Sequence, residues 1–150
     1  VPPRPDRRFA AGWRPDAQPT DRFILEHKGW QVSAQFASVY PIALSIAPTT
    51  HLATLSDASG DERDGLAEVL VDVLSRLNRI YDAPLPYMMW IYQAPSTTSY
   101  NQSVWFNIEI VSPWRNQGVQ RYIAAAEIAC EEYFNPVNPS EVAQKLRDLK

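Results

Sequence analysis

One cysteine, Cys130, is all the chain carries. No disulfide can close within it and no cysteine cluster can hold a metal, which fits a reducing compartment. No apolar run approaches the roughly 20 residues needed to span a bilayer. The opening stretch VPPRPDRRFAAGWRPDAQPT is polar and Pro-rich, unlike a secretion signal. A cytoplasmic location without membrane contact is therefore expected, and a start at Val rather than Met points to a fragment or a processed chain. Basic residues are also scarce: 14 Lys and Arg stand against 17 Asp and Glu, a formal net charge of -3. A nucleic-acid footprint needs clustered Lys and Arg, so no nucleic-acid partner is expected. A small phosphorylated ligand, needing one or two basic groups, stays open. With five glycines and two histidines, the chain shows no Walker-type or Rossmann-type loop and no Gly-x-Ser-x-Gly.

What is present is a chain of 150 residues, 45% hydrophobic and 21% charged, the balance of one globular domain. A chain of this size buries roughly 70% of the surface its unfolded form exposes, so a sizeable core is available. Residues 1–20 lack periodicity and read as a Pro-rich linker or docking arm, and residues 21–150 as the domain. RFILEHKGWQVSAQFAS reads as two strands joined at His27-Lys28-Gly29, with Gly29 free to take a positive φ. YPIALSIAP is a buried strand. Ser59 and Glu62 form a capping box, after which Leu66, Val69, Leu70, Val73, Leu77 and Ile80 recur at helical spacing. YMMWIYQAP is a further strand, with PLPYMMW in core or interface packing, and STTSYNQ is a polar loop. In SVWFNIEIVSP, Val104, Phe106, Ile108 and Ile110 alternate with Trp105, Asn107 and Glu109, a strand with one apolar face.

SPWRNQG reads as a connector. A second helix is expected from about Val119 to Glu132, with Val119, Ile123, Ala126 and Cys130 inward and Gln120, Ala124, Glu127 and Glu131 as a solvent stripe. Asn138 caps a short terminal helix with Pro139 at its first position and Val142, Leu146 and Leu149 inward. The order β-β-β-α-β-β-α-α predicts an α+β domain: a mostly antiparallel sheet of about five strands, one long helix and two C-terminal helices.

Two histidines limit the acid–base chemistry available. His27 falls in a turn, where solvation explains it. His51 follows a strand and precedes a loop into the long helix, where site residues are common; a site role and a structural one both remain open. The polar face of Trp105, Asn107 and Glu109 is either solvated surface or part of a site.

Several stretches, in order, resemble one family. IAPTTHLATLSDASGDERDGLAEVLVDVLSRL is similar to the strand, Pro-x-x-His, loop and helix of the histidine-triad-like fold. PYMMWIYQAP resembles the Pro-Tyr…Ala-Pro segment of galactose-1-phosphate uridylyltransferases. WFNIEIVSP and GVQRYIAAAEIACEEYFNPVNPSEVAQKLRDL resemble that family's later strand and ending. The resemblance runs from about Phe23 to Leu149 and concerns the C-terminal half only. The family's nucleophile is the second His of a His-Pro-His motif, absent here, so the resemblance implies no catalytic residue in this chain.

The activity so implied is hexose-1-phosphate uridylyl transfer by ping-pong chemistry, between UDP-glucose and galactose 1-phosphate. An N-terminal half, on the same or a separate chain, would supply the nucleophile, and this chain alone would be inactive. The resemblance assigns Arg121 to the phosphates, Ala124 to a backbone contact and Glu127 to the sugar hydroxyls, and implies a homodimer. Planar Arg donors suit phosphate and carboxylate acceptors suit hydroxyls. The chain departs from the family pattern in carrying Ala126 for a Tyr and Tyr133 for a Gln. Some members bind a metal at positions corresponding to His51, Asn107 and Glu109. Asn is a poor zinc or iron ligand, leaving at most His51 and Glu109, so no metal or other cofactor is expected. The alternatives are a stand-alone histidine-triad nucleotide hydrolase and a non-catalytic domain for sugar-phosphate binding or dimerisation.

Overall fold

The computed structural model describes residues 21–95 and 104–149; the arm of residues 1–20 and all of STTSYNQ lie outside that range. Seven strands and three helices follow in order: β1 (Phe23–His27), β2 (Trp30–Ala34), β3 (Ile42–Pro48), α1 (Gly60–Leu77), β4 (Met88–Tyr92), β5 (Asn107–Ser112), β6 (Trp114–Asn116), β7 (Val119–Gln120), α2 (Ala125–Cys130) and α3 (Pro139–Asp148). Five strands form one antiparallel sheet in the order β1-β2-β3-β5-β4. The expected α+β architecture, five-stranded sheet included, is what forms.

Local chemistry explains the elements. Lys28 and Gly29 both take positive φ, 46° and 80°, the requirement of the tightest hairpin turn. Ser59 accepts from the Glu62 N–H at 3.2 Å while Glu62 accepts from the Ser59 N–H at 2.7 Å, closing the capping box that starts α1. Asn138 accepts from Ser140 N–H at 3.0 Å, with Pro139 in the first turn of α3.

One sheet face and the two longer helices build the core. Trp30, Val32, Leu44, Ile46, Phe106, Ile108 and Ile110 meet Leu66, Val69, Val73 and Leu77 of α1 and Val142, Ala143 and Leu146 of α3. Burying each such side chain contributes about 1.5–3 kcal/mol. Trp30 anchors α1 to the sheet, its indole Nε1 donating to the Glu62 carbonyl at 2.8 Å. Gly65 permits the close approach, because a Cβ there would lie 2.8 Å from Lys28 Cβ. Arg76 is a buried cation on α1. It is held by Asp72 through two 2.8 Å bonds and donates to the Leu146 carbonyl of α3 at 2.8 Å. Next to Leu146, Arg147 donates to the Phe23 carbonyl, and at the other end of α3 Ser140 Oγ donates to Asp21 at 2.7 Å.

The PLPYMMW stretch divides between core and surface. Leu85 is buried, but Tyr87, Met88, Met89 and Ile91 are exposed, because β4 is the sheet's edge and neither helix reaches its outer side.

Candidate functional site

Beyond β5 the chain departs from the second helix expected from about Val119 to Glu132. Trp114–Asn116 and Val119–Gln120 pair as a small hairpin, turning at Gln117-Gly118 with Gly118 at φ 66°. The segment then folds back, the Arg121 N–H donating to the Pro113 carbonyl at 2.7 Å. Only Ala125–Cys130 is helical, and Glu131 at φ 55° ends the helix.

The facing is also inverted. Ile123 and Cys130, expected inward, are exposed, and Tyr122 and Ile128 stand out at 83% and 71% exposure. Glu127, expected on the solvent stripe, is the one fully buried residue of α2 at 0% exposure. A carboxylate enters an interior only where donors meet it. Glu127 has three: the Ala124 N–H at 2.7 Å, the Phe134 N–H at 3.3 Å, and the Arg121 guanidinium. Periodicity cannot reveal an arginine six residues upstream that reverses a helix's facing.

The structure therefore brings together all three residues assigned by resemblance. Arg121 also donates to the Phe134 carbonyl at 3.1 Å, and its guanidinium lies 5.8 Å from the Phe134 ring centre. Its Nε–H is buried and finds no acceptor among the described residues. Phe134, whose backbone completes the cradle, carries no signal in the sequence, since any residue but proline supplies the same amide and carbonyl.

The Ala124 N–H, followed by the Phe134 N–H and Arg121, holds the Glu127 carboxyl below its ordinary value of 4.5, against the opposing effect of burial. A carboxyl with a lower folded-state value stabilises the fold above its unfolded value, and that contribution disappears as pH falls through the folded one. Amides of residues 121–134 are accordingly expected to lose hydrogen-exchange protection as pH drops below 4.5, ahead of the sheet. With Glu127→Gln that acid step should vanish.

The two metal candidates are not brought together. His51 donates from Nε2 to the Val104 carbonyl at 3.0 Å, and its ring meets Trp105 edge-on at 5.2 Å. Glu109 lies within the sheet between Ser45 of β3 and Trp90 of β4. Trp105, against which the His51 ring lies, precedes Glu109 by four residues along the chain. Between them Asn107, 2% exposed, presents an amide N–H without an acceptor among the described residues, and an N–H repels a cation. No group of three His, Cys, Asp or Glu residues gathers among the described residues. The donor set does not fit a transition metal. Sequence reasoning passed over Trp90 and Tyr92, which stand opposite Glu109 and Asn107; the i, i+2 spacing in WIY was the available signal.

Residues 13–149 match the family model of the galactose-1-phosphate uridyl transferase C-terminal domain. The chain belongs to that family. Over 136 residues it is 28% identical to a galactose-1-phosphate uridylyltransferase of Thermotoga maritima, covering 90% of this chain and 43% of the relative. A solved uridylyltransferase mutant superposes with a TM-score of 0.75 at 26% identity, over 86% of this chain and 42% of that one. The NitFhit protein of C. elegans shares the fold, with a TM-score of 0.60 at 16% identity over 93% of this chain and 29% of that one. This transferase C-terminal domain thus spans less than half the length of the uridylyltransferases it matches, and its architecture is histidine-triad-like.

Proposed function

We propose that the chain acts as the C-terminal part of a hexose-1-phosphate uridylyltransferase, binding the sugar phosphate while an N-terminal half supplies the nucleophilic histidine. The observation that carries this reading is the Arg121–Glu127 pair. Its Arg is held rigidly by a buried carboxylate, yet keeps a buried Nε–H without an acceptor among the described residues. A phosphate oxygen is the acceptor such a guanidinium takes best. The Ala124 backbone lies beside it on the same turn, where the slim Ala124-Ala125-Ala126 run lets a sugar approach.

Glu127 serves first by fixing Arg121 and the turn. The direct bond to a sugar hydroxyl that the resemblance implies would use the remaining lone pair of Glu127 Oε2, whose one donor among the described residues is the Ala124 N–H, and requires the buried carboxylate to open to the ligand. UDP-glucose is the uridylyl donor in this reading and galactose 1-phosphate the acceptor. Two exposed apolar areas support partners: the β4 edge with Met88, Met89 and Ile91, and the segment with Tyr122, Ile123, Ile128 and Phe134. We assign the first to the N-terminal half and the second to a second copy of the chain in a cytoplasmic homodimer.

Calorimetric titration with galactose 1-phosphate tests the site. Binding is expected, and Arg121→Ala should weaken it tenfold or more, the effect of losing charge-assisted bonds to one phosphate. Equal affinity in the variant would remove Arg121 from the site.

A further inference from the structure

On β3, Ala43, Ser45 and Ala47 alternate with Ile42, Leu44 and Ile46 of the core, so their side chains rise from the other face of the sheet. α1 and α3 pack on the core face, yet Ala43 and Ala47 are buried, and Val111 beside Ala43 on β5 is 2% exposed. These three belong to neither apolar cluster that the described residues form. Cross-strand neighbours do not account for Val111. It stands between Ala43, too small to cover it, and Met88, which is itself exposed. Asn107 and the Trp90 indole N–H are buried on the same face. Burial of this kind in a single chain needs a cover from the chain itself.

Residues 1–20 fit that task by position, charge and composition. The Arg22 carbonyl accepts from the Ala34 N–H at 2.9 Å, and the next amide, Gln35 N–H, donates to the Ala43 carbonyl at 2.9 Å. The arm therefore joins the sheet at the end where Ala43 and Val111 lie. Residues 96–103, by contrast, join β4 to β5 beyond the Tyr92–Asn107 pair at the opposite end. Trp13 precedes Asp21 by eight residues, a length that reaches roughly 26 Å when extended, whereas five strands span about 19 Å. The arm carries four Arg against two Asp, while the rest of the chain holds ten Lys and Arg against fifteen Asp and Glu. Its prolines offer carbonyl acceptors without an N–H that needs a partner. That suits a face where Trp90 Nε1 and Asn107 Nδ2 find no acceptor among the described residues. Extended Pro-rich segments also pack on aromatic rings such as those of Trp90 and Tyr92. The family match itself begins at residue 13. We propose that residues 1–20 dock across this face, with Trp13 seated over the small side chains of Ala43, Ser45 and Ala47 as the centre of a second core. The arm is then part of the domain and not a tether, whatever reaction the domain serves.

The test is an NMR experiment on the 150-residue chain with labelled Ala and Val methyl groups. Trp13 ring protons are expected to show Overhauser contacts to the Ala43, Ala47 and Val111 methyls, unchanged when the protein is diluted. Trp13→Ala should shift those methyl signals and lower Tm by roughly 5 °C, the effect of removing one large covering side chain. Trp13→Phe should restore most of both. Contacts from residues 96–103 to these methyls in place of the arm would overturn the proposal. So would contacts that vanish on dilution, which would assign the cover to a second copy. Absent contacts, or methyl signals and Tm unmoved in Trp13→Ala, would overturn it as well. The contacts are read in the unsubstituted chain, so they decide the matter even if Trp13→Ala fails to fold.

Discussion

Trp30→Ala should cost about 3–5 kcal/mol of folding stability, the range for removing a large buried aromatic. The side chain is 1% exposed and holds three elements at once. Its ring meets Phe106 edge-on at 5.6 Å across the sheet, and its Nε1 donates to the Glu62 carbonyl in the first turn of α1. Removal leaves a cavity, an unpaired aromatic and an unsatisfied carbonyl together. Against the 5–15 kcal/mol typical of a domain, that is a large share, and for 150 residues it lowers Tm by roughly 10 °C. Trp30→Phe separates the terms. It keeps most of the packing and loses only the bond to Glu62, so about 1–2 kcal/mol is expected. Urea unfolding of both variants measures the difference; equal losses would mean that the hydrogen bond, and not the ring, fastens α1.

The largest functional effect should come from Glu127→Ala. The carboxylate gathers the Ala124 amide, the Phe134 amide and the Arg121 guanidinium onto one buried point. Its loss frees Arg121 and leaves two amides without an acceptor in a turn with no other core. In an enzyme reconstituted with an N-terminal half, KM for the hexose phosphate should rise tenfold or more while the sheet keeps its stability. Glu127→Gln retains one acceptor oxygen but not the charge, and should fall between. Kinetics unchanged in Glu127→Ala would remove the residue from the site.

The sheet and the outer helices were legible because their determinants are local and periodic. The 23–34 hairpin follows from a Lys-Gly pair at positive φ, α1 from Ser59 and Glu62 with apolar residues at helical spacing, and α3 from Asn138 and Pro139. Ile80 lies past the end of α1, and Leu149 caps α3 half-buried instead of lying in the core. The 114–138 segment was misread for a definite reason. Its fold rests on one ion pair between residues six apart and on backbone amides, neither of which leaves a helical period in the sequence. Arg76 was missed likewise, since its burial depends on the Leu146 carbonyl of a helix seventy residues away. Arg121, Ala124 and Glu127 could be marked by resemblance, but not that Glu127 points inward. The alternation of SVWFNIEIVSP gave the polar face of β5; only the pairing with β4 showed whose donors share it.

The central claim is that this chain completes an active site whose nucleophile it lacks. The direct test mixes it with a separately produced N-terminal half carrying His-Pro-His, and follows UDP-galactose formation from UDP-glucose and galactose 1-phosphate. Turnover only in the mixture, lost with Arg121→Ala, is the predicted result. Dinucleotide hydrolysis by the chain alone, or no turnover in a mixture shown to form a complex, would contradict it.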